Sequence, residues 1–470
     1  MTPAAARFRP HLASRRVRRE AGESRRRGVP LDAHAELPDT DTRPDPIAIL
    51  TTQDESRLQQ LVPIRHGRMS ATAFTFYRGG AAIMASDLSR LPTTDLTVQL
   101  CGDAHLSNFG LFNGPDRRLV FDLNDFDETH PGPFEWDVKR LAASVAIAGR
   151  NNELSQQKID RAVLATVHGY RDTMADVSQS APLDVHYARV ELDRVRALYE
   201  QAGKLDKKSR KRFDKVAKKS SSKNSMRALR KLTDIVDGRR VIVPDPPLIT
   251  PIGDIREGVE AAHLAEFFDR YLTTLPRSRR LLLERYTVVD IAHKVVGVGS
   301  VGTRCLIVLL ESGDGEPLFL QFKEANASVL EPYTEPSEYE PGQRVFEGQR
   351  LTQTMGDIFL GWSHAVGDDG TMRYYYFRQL WDGKGSADVD AMGGKSLRRY
   401  ASTCGRLLAL SHARSGDASM IAGYLGDDDT FDRAVAEFSH GYADLNERDH
   451  DAHLAAIDSG RVTAERDLDA

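Results

Sequence analysis

Residues 294–325, KVVGVGSVGTRCLIVLLESGDGEPLFLQFKEA, restrict the fold of this 470-residue chain more than any other stretch. Apolar and β-branched runs flank Gly297, Gly299 and Gly302, and the turn SGDGE separates the second run from a third, PLFLQFKEA. Short runs of this kind bounded by turn residues form strands, so the segment predicts a Gly-rich hairpin in an antiparallel sheet. In a dinucleotide fold the glycines join a strand to a helix, and here strands flank them. Glycines in such a loop let backbone N–H groups approach a phosphate closely. Lys323 lies between apolar neighbours near the end of the third run.

The rest of the chain alternates in character, which predicts an α+β protein. From about residue 55 the pattern is helical, and TVQLCGDAHLSNFGLF then reads as a strand ending in a loop. A further strand, RRLVFDLNDFDE, follows the turn NGPD. In WDVKRLAASVAIAGR the residues Val138, Leu141, Ala142 and Val145 give a helix one apolar face. Helices continue to about residue 235, and four prolines in VPDPPLITPI break the pattern. Beyond the hairpin come a helix at GQRVFEGQRLTQTM, short strands at DIFLGW and MRYYYFRQLW, and a helix carrying Leu397, Ala401, Cys404 and Leu408 on one face.

The composition excludes several classes. A net charge of −4 with 28% charged residues gives no global attraction to nucleic acid or membrane. Cys101, Cys305 and Cys404 are far apart and contain no C-x-x-C pair, which argues against a disulfide framework or a zinc ribbon and fits a cytoplasmic setting. No run reaches the roughly 18 apolar residues that cross a bilayer, so neither membrane insertion nor export is expected. Local charge is uneven. The basic segments 7–27 and 204–231 read either as tethers for nucleic acid or an acidic partner, or as solvated surface. Residues 1–45, Arg-rich and then Pro- and Asp-rich, read as a disordered arm.

The segment CGDAHLSNFG places Asp103 and Asn108 on one loop leaving an apolar strand. Phosphoryl transfer needs a carboxylate to orient the attacking hydroxyl and take its proton, with an oxygen ligand nearby to hold magnesium on the phosphates. The adjoining strand adds Asp122, Asp125 and Asp127, a carboxylate set suited to a hard cation. His105 is either a metal ligand or a support that hydrogen-bonds within the loop.

At these residues the chain resembles a known superfamily. GDAHLSN is similar to the G-D-x-H-x-x-N loop of aminoglycoside phosphotransferases and choline kinases, within the protein-kinase-like superfamily, and NDFDETHPGPFEWDVKRLA resembles the segment that follows it there. The resemblance implies a two-lobed fold with a mainly helical catalytic lobe and a small antiparallel-sheet nucleotide lobe. It also implies ATP and Mg2+ as cofactors, Asp103 as the proton acceptor, and Asn108 and Asp125 as metal ligands with Asp122 as the alternative. Asp137 becomes a structural Asp, Lys323 the phosphate lysine, and Glu347 its carboxylate partner with Glu340 as the fallback. MRYYYFRQLW resembles the hinge strand that meets the adenine. Two positions depart from the pattern: Cys101 stands where the relatives usually have His, and Arg304 where they have a small apolar residue.

The two halves occur in reversed order, Asp103 long before Gly297, and a circular permutation explains this. Its units are a catalytic region at 46–285, a Gly-rich nucleotide sheet at 286–385, and C-terminal helices at 386–470 that pack back on the catalytic region. From about residue 55 the arrangement is also similar to the bacterial domain-of-unknown-function 2252 family, which implies no substrate. The expected activity is ATP-dependent phosphoryl transfer to a small molecule. AMP transfer from the same site, a metal-dependent phosphoesterase built on Asp103, His105, Asp122, Asp125 and Asp127, and a nucleotide- or RNA-binding regulator are the alternatives.

Overall fold

The computed structural model describes residues 13–193, 225–252, 259–367, 369–380 and 385–465. The architecture is α+β with antiparallel sheets, as the alternation of patterns predicts. Fourteen strands are present among these residues. The first four surround the GDAHLSN segment: β1 (Thr97–Leu100), β2 (Phe109–Asn113), β3 (Leu119–Leu123) and β4 (His130–Pro133). The short strands β5 (Val190–Glu191), β6 (Thr233–Val236) and β7 (Arg239–Ile242) follow. Then come β8 (Ile249–Pro251), β9 (Tyr286–Lys294), β10 (Cys305–Ser312), β11 (Pro317–Ala325), β12 (Gly361–Val366), β13 (Met372–Gln379) and β14 (Gly385–Ser386).

The Gly-rich hairpin forms at the centre of the largest sheet, whose order is β12-β13-β11-β10-β9-β8. Side chains alternate across a strand, and both faces of this sheet are covered. Leu306, Val308 and Leu310 of β10 share a core with Phe267 and Tyr271 of the Val259–Thr274 helix, where Tyr271 stacks on Phe377 at 3.9 Å between ring centres. Ile307 and Leu309 point the other way, onto Leu229, Leu232 and Phe319. Phe322 lies on the first face, so period two turns Lys323 to the second. Lys323 pairs across the ladder with Tyr376. The strand read at DIFLGW starts later, at Gly361, because the Asp357 carboxylate accepts the Phe359 N–H at 2.8 Å and closes a turn there.

The Phe134–Asn151 helix runs through the largest core, against the helices Gln156–Ser178, Gly394–Ser415 and Thr430–Asp458. Its apolar pattern predicts one buried face, yet Glu135, Asp137, Lys139 and Arg140 on the other positions are buried too. Each finds a partner: Glu135 accepts from Thr94, and the Lys139 ammonium lies 4.5 Å from the centre of the Phe438 ring. Burial brings the Lys139 pKa down to about 8.

Residues 13–45, expected as part of a disordered arm, are folded. Ser14 caps a helix over Arg15–Ser24 that crosses the Ala418–Leu425 helix at two glycines. A Cβ on Gly22 would stand 1.9 Å from the Met420 carbonyl oxygen, and one on Gly423 would stand 2.0 Å from that of Arg19. The arginines are the reason the charge density misleads. Arg18 pairs with Asp417, Arg19 with Asp427, and Arg26 donates to the carbonyls of Gly423 and Tyr424. They hold the segment to the protein. Residues 1–12 and, in the second basic segment, 204–224 lie outside the described residues. No helix among the described residues is long and apolar enough to cross a membrane.

Candidate active site

A cavity of about 90 Å³ is lined by Asp103, His105, Asn108, Asp125 and Asp127 from the β1–β4 region, and by Gly297 and Gly299 from the loop between β9 and β10. Residues from two distant parts of the chain thus share one space.

The loop around Asp103 is held from beneath. Gly102 adopts a φ of +81°, and a Cβ there would stand 2.1 Å from the Glu128 carbonyl oxygen, so only glycine fits. The Asp137 carboxylate accepts the backbone N–H of Cys101 at 2.8 Å and of Gly102 at 3.1 Å, and His412 Nε2 lies 3.3 Å from it. These contacts support the loop at Cys101 and Gly102. Arg140 donates to Asp103 Oδ1 through Nε and Nη2, at 2.9 and 2.7 Å. Burial still moves Asp103 above the usual carboxylate range, with Arg140 and Arg78 opposing it. The carboxylate keeps 20% of its side-chain surface exposed while Arg140 keeps 4%, so the arginine braces it from the protein side.

His105 Nδ1 accepts the Ser107 N–H at 3.2 Å, and burial lowers its pKa far below the ordinary value, which makes it a neutral support of the loop. Asn108 donates its side-chain N–H to the Asp103 carbonyl at 2.6 Å. That bond fixes the amide and leaves its oxygen as the remaining ligand atom. Asp125 Oδ1 is buried and accepts no hydrogen bond from any described residue. Burial, and then the charge of Asp127, push its pKa up.

Asp127 is the most heavily bonded acid. It receives the Lys323 ammonium, the Tyr376 hydroxyl at 2.7 Å and the Ser300 hydroxyl at 3.2 Å. Burial alone would raise its pKa, but Lys323 and the hydrogen bonds from Lys323 and Tyr376 hold it down at about 2. Lys323 also donates to Ser300 Oγ at 2.6 Å, which ties β11 to the Gly-rich loop. In that loop Gly297 and Gly302 have φ of +69° and +90°. Arg68 donates to the Gly297 carbonyl, Arg57 to that of Val301, and Leu58 N–H to that of Gly302.

Three expectations are corrected. The partner of Lys323 is Asp127, and Glu347 makes no ion pair with it. The Pro341–Thr352 helix instead turns Arg344 to the Asp127 segment, where it donates to the carbonyls of Asp127, Asn326 and Thr129. Glu340 stands at the N-terminal boundary of that helix without a side-chain bond to it, and its carboxylate lies 4.0 Å from His364 Nδ1. Asp122 does not line the cavity. On β3 it alternates away from its neighbours, and burial raises its pKa to about 6 against the field of Arg414. Asp122 thus stands apart from Asp103, His105, Asp125 and Asp127, and among the described residues no group of three or more His, Cys, Asp or Glu is arranged to hold a metal ion. The site residues that sequence patterns did not reveal are Arg57, Arg65, Arg78, Glu128 and Ser300. Only Arg78, ahead of the Gly79–Gly80 pair at a helix end, stands in a context that could have drawn notice.

Fold and site together define an α+β protein in which an acidic loop and a Gly-rich hairpin close on one polar cavity. The chain belongs to the bacterial family described as an uncharacterized protein conserved in bacteria (DUF2252), which it matches over residues 57–456. No curated protein and no solved structure matches it.

Proposed function

We propose that the protein is an ATP- and magnesium-dependent phosphotransferase acting on a small-molecule hydroxyl, with a two-lobed, circularly permuted kinase-like arrangement. One observation carries the reading: the Lys323 ammonium meets Asp127 and Ser300 in the wall of the same cavity that holds Asp103, Asn108 and Asp125. In kinases the Gly-rich loop precedes a lysine on the third strand and a helix follows. Here the loop lies between β9 and β10, the lysine on β11, and the helix over Pro341–Thr352.

The donor set fits magnesium. A buried carboxylate oxygen without a donor, on Asp125, and the amide oxygen of Asn108 are hard ligands. The ion would neutralise charge on the phosphates. Asp103 accepts the proton of the acceptor hydroxyl as its oxygen bonds to the γ-phosphorus, and the bond from that phosphorus to the bridging oxygen breaks with its electron pair leaving on ADP. Lys323 exchanges part of its bond to Asp127 for the α and β phosphates. A cavity of about 90 Å³ takes phosphate groups. β13, the strand that resembles a hinge, ends shortly before residues 381–384, which are outside the described residues.

The test is ATP turnover with magnesium across a metabolite library, reading ADP and AMP by mass. Formation of ADP with a phosphorylated acceptor supports the proposal. An acceptor that gains AMP reassigns the site to nucleotidyl transfer, and a protein that does not bind Mg–ATP at all overturns both.

A further inference from the structure

Arg65 and Arg78, on the helices Val62–Met69 and Ala73–Gly79, and Arg57, on the turn after the Pro46–Asp54 helix, line the cavity together with Asp103. Two of the three are committed. Arg65 donates to the Asp54 carboxylate at 2.5 Å and to Gln53 at 3.0 Å, and Arg57 donates to the Val301 carbonyl at 2.6 Å. Arg140, behind Asp103, is committed as well, to Asp103 and to the Tyr77 carbonyl.

Arg78 differs. It makes no hydrogen bond or ion pair with any described residue, and its Nε is buried without an acceptor. The carboxylates whose field it feels are Asp103 and Asp390. Its backbone is held against the Gly-rich loop, since a Cβ on Gly299 would stand 3.3 Å from the Arg78 carbonyl oxygen. Arg78 is half-buried, and its terminal nitrogens, uncommitted within the protein, can hold an oxyanion through two parallel N–H donors. Lys323 and the Asn108–Asp125 pair already serve the nucleotide phosphates. Lys323 meets Asp127, whereas Arg78 shares the cavity wall with Asp103 and feels its charge.

We infer that Arg78 receives an oxyanion carried by the acceptor. The substrate class is then a small alcohol that bears its own phosphate or carboxylate, with the hydroxyl at Asp103 and the charged group at Arg78. This inference depends on the phosphotransfer reading for the role of Asp103. The oxyanion site itself does not depend on it.

The experiment uses the full chain with inorganic phosphate and acetate as probes, titrated calorimetrically with and without saturating Mg–AMP-PNP. The expected result is that at least one probe binds while the nucleotide analogue is in place, which also identifies the head group. Arg78→Ala should weaken that probe roughly tenfold or more, Arg78→Lys should retain part of the affinity, and the affinity for Mg–AMP-PNP should stay within about twofold. Arg78→Gln carries the same comparison should Arg78→Ala fail to fold. Binding of neither probe by the wild type overturns the inference. So does probe affinity that is unchanged in Arg78→Ala, or nucleotide affinity that falls in parallel, because the arginine then serves ATP. Arg78-dependent binding of a probe by a protein that binds no nucleotide keeps the oxyanion site and removes the phosphotransferase reading alone.

Discussion

The Lys323 ammonium is paired with the carboxylate of Asp127, which lies 196 positions earlier in the chain. The lysine side chain is 2% exposed and the aspartate 25%, so the pair is a half-buried clasp between the central sheet and the acidic loop. Removing one partner of a buried pair costs about 3–5 kcal/mol because the other charge is left uncompensated. Exposure of Asp127 places Lys323→Met near ~2–3 kcal/mol in urea unfolding. The double change Lys323→Met with Asp127→Leu should recover part of that loss. A double variant no more stable than Lys323→Met would show that the two charges are not coupled.

On the proposed reading Asp103 and Asp125 divide the chemistry. Asp103→Asn keeps the loop but removes the proton acceptor, so turnover should fall by about 10²–10⁴ with Mg–nucleotide binding retained. Asp125→Asn should weaken nucleotide binding in magnesium far more than in its absence. The two effects are separated by calorimetric titration of AMP-PNP with and without magnesium. Normal Mg–nucleotide binding in Asp125→Asn would remove Asp125 from the metal site.

Gly102 carries the acidic loop through a left-handed turn against Glu128. Gly102→Ala is strained both by its φ and by the Glu128 carbonyl, and should lower stability by roughly 2–4 kcal/mol. Gly313→Ala, with open space around it, serves as the control and should change little. Equal thermal midpoints for the two variants would contradict the close contact.

Glu128 gives a pH signature. Burial raises its pKa from the usual 4.5 to about 7, opposed by Arg344 and the Val329 N–H. Between those values the folded chain binds a proton that the unfolded chain has released. This contribution to stability is therefore full below about pH 4.5 and lost as pH rises through about 7. Glu128→Gln should flatten that part of the profile, measured as urea midpoints at pH 5 and pH 7.5. A wild type and variant with parallel profiles would place the carboxyl in contact with water.

Local pattern was enough for the elements that frame the site. Strands around Gly297–Gly302, the loop carrying Asp103 and Asn108, and the helix with Leu397, Ala401, Cys404 and Leu408 at 0% exposure all follow from periodicity and turn residues, which act within a few positions of the chain. The α+β class follows from their alternation. A dense run of arginines, by contrast, reads the same whether it faces solvent or, like Arg18 and Arg26, binds a distant Asp417 carboxylate and Tyr424 carbonyl. The helix at Phe134–Asn151 likewise shows only its apolar positions to a sequence reading, while its charged positions are buried by partners from other segments.

The choice among chemically equivalent residues was made by the tertiary structure alone. Asp122, Asp125 and Asp127 are the same side chain within six positions, and either Glu347 or Glu340 has the charge to meet Lys323. Strand alternation and the turn after β3 send Asp122 toward Arg414 and bring Asp125 and Asp127 to the cavity. The Pro341–Thr352 helix packs with Arg344 toward that turn, so the lysine finds Asp127. Residue type and spacing determine what chemistry a segment can perform. Which carboxylate meets which cation depends on distances between segments that only packing sets, because the hydrogen bond that completes an ion pair forms only at about 3 Å and the charge attraction weakens with distance.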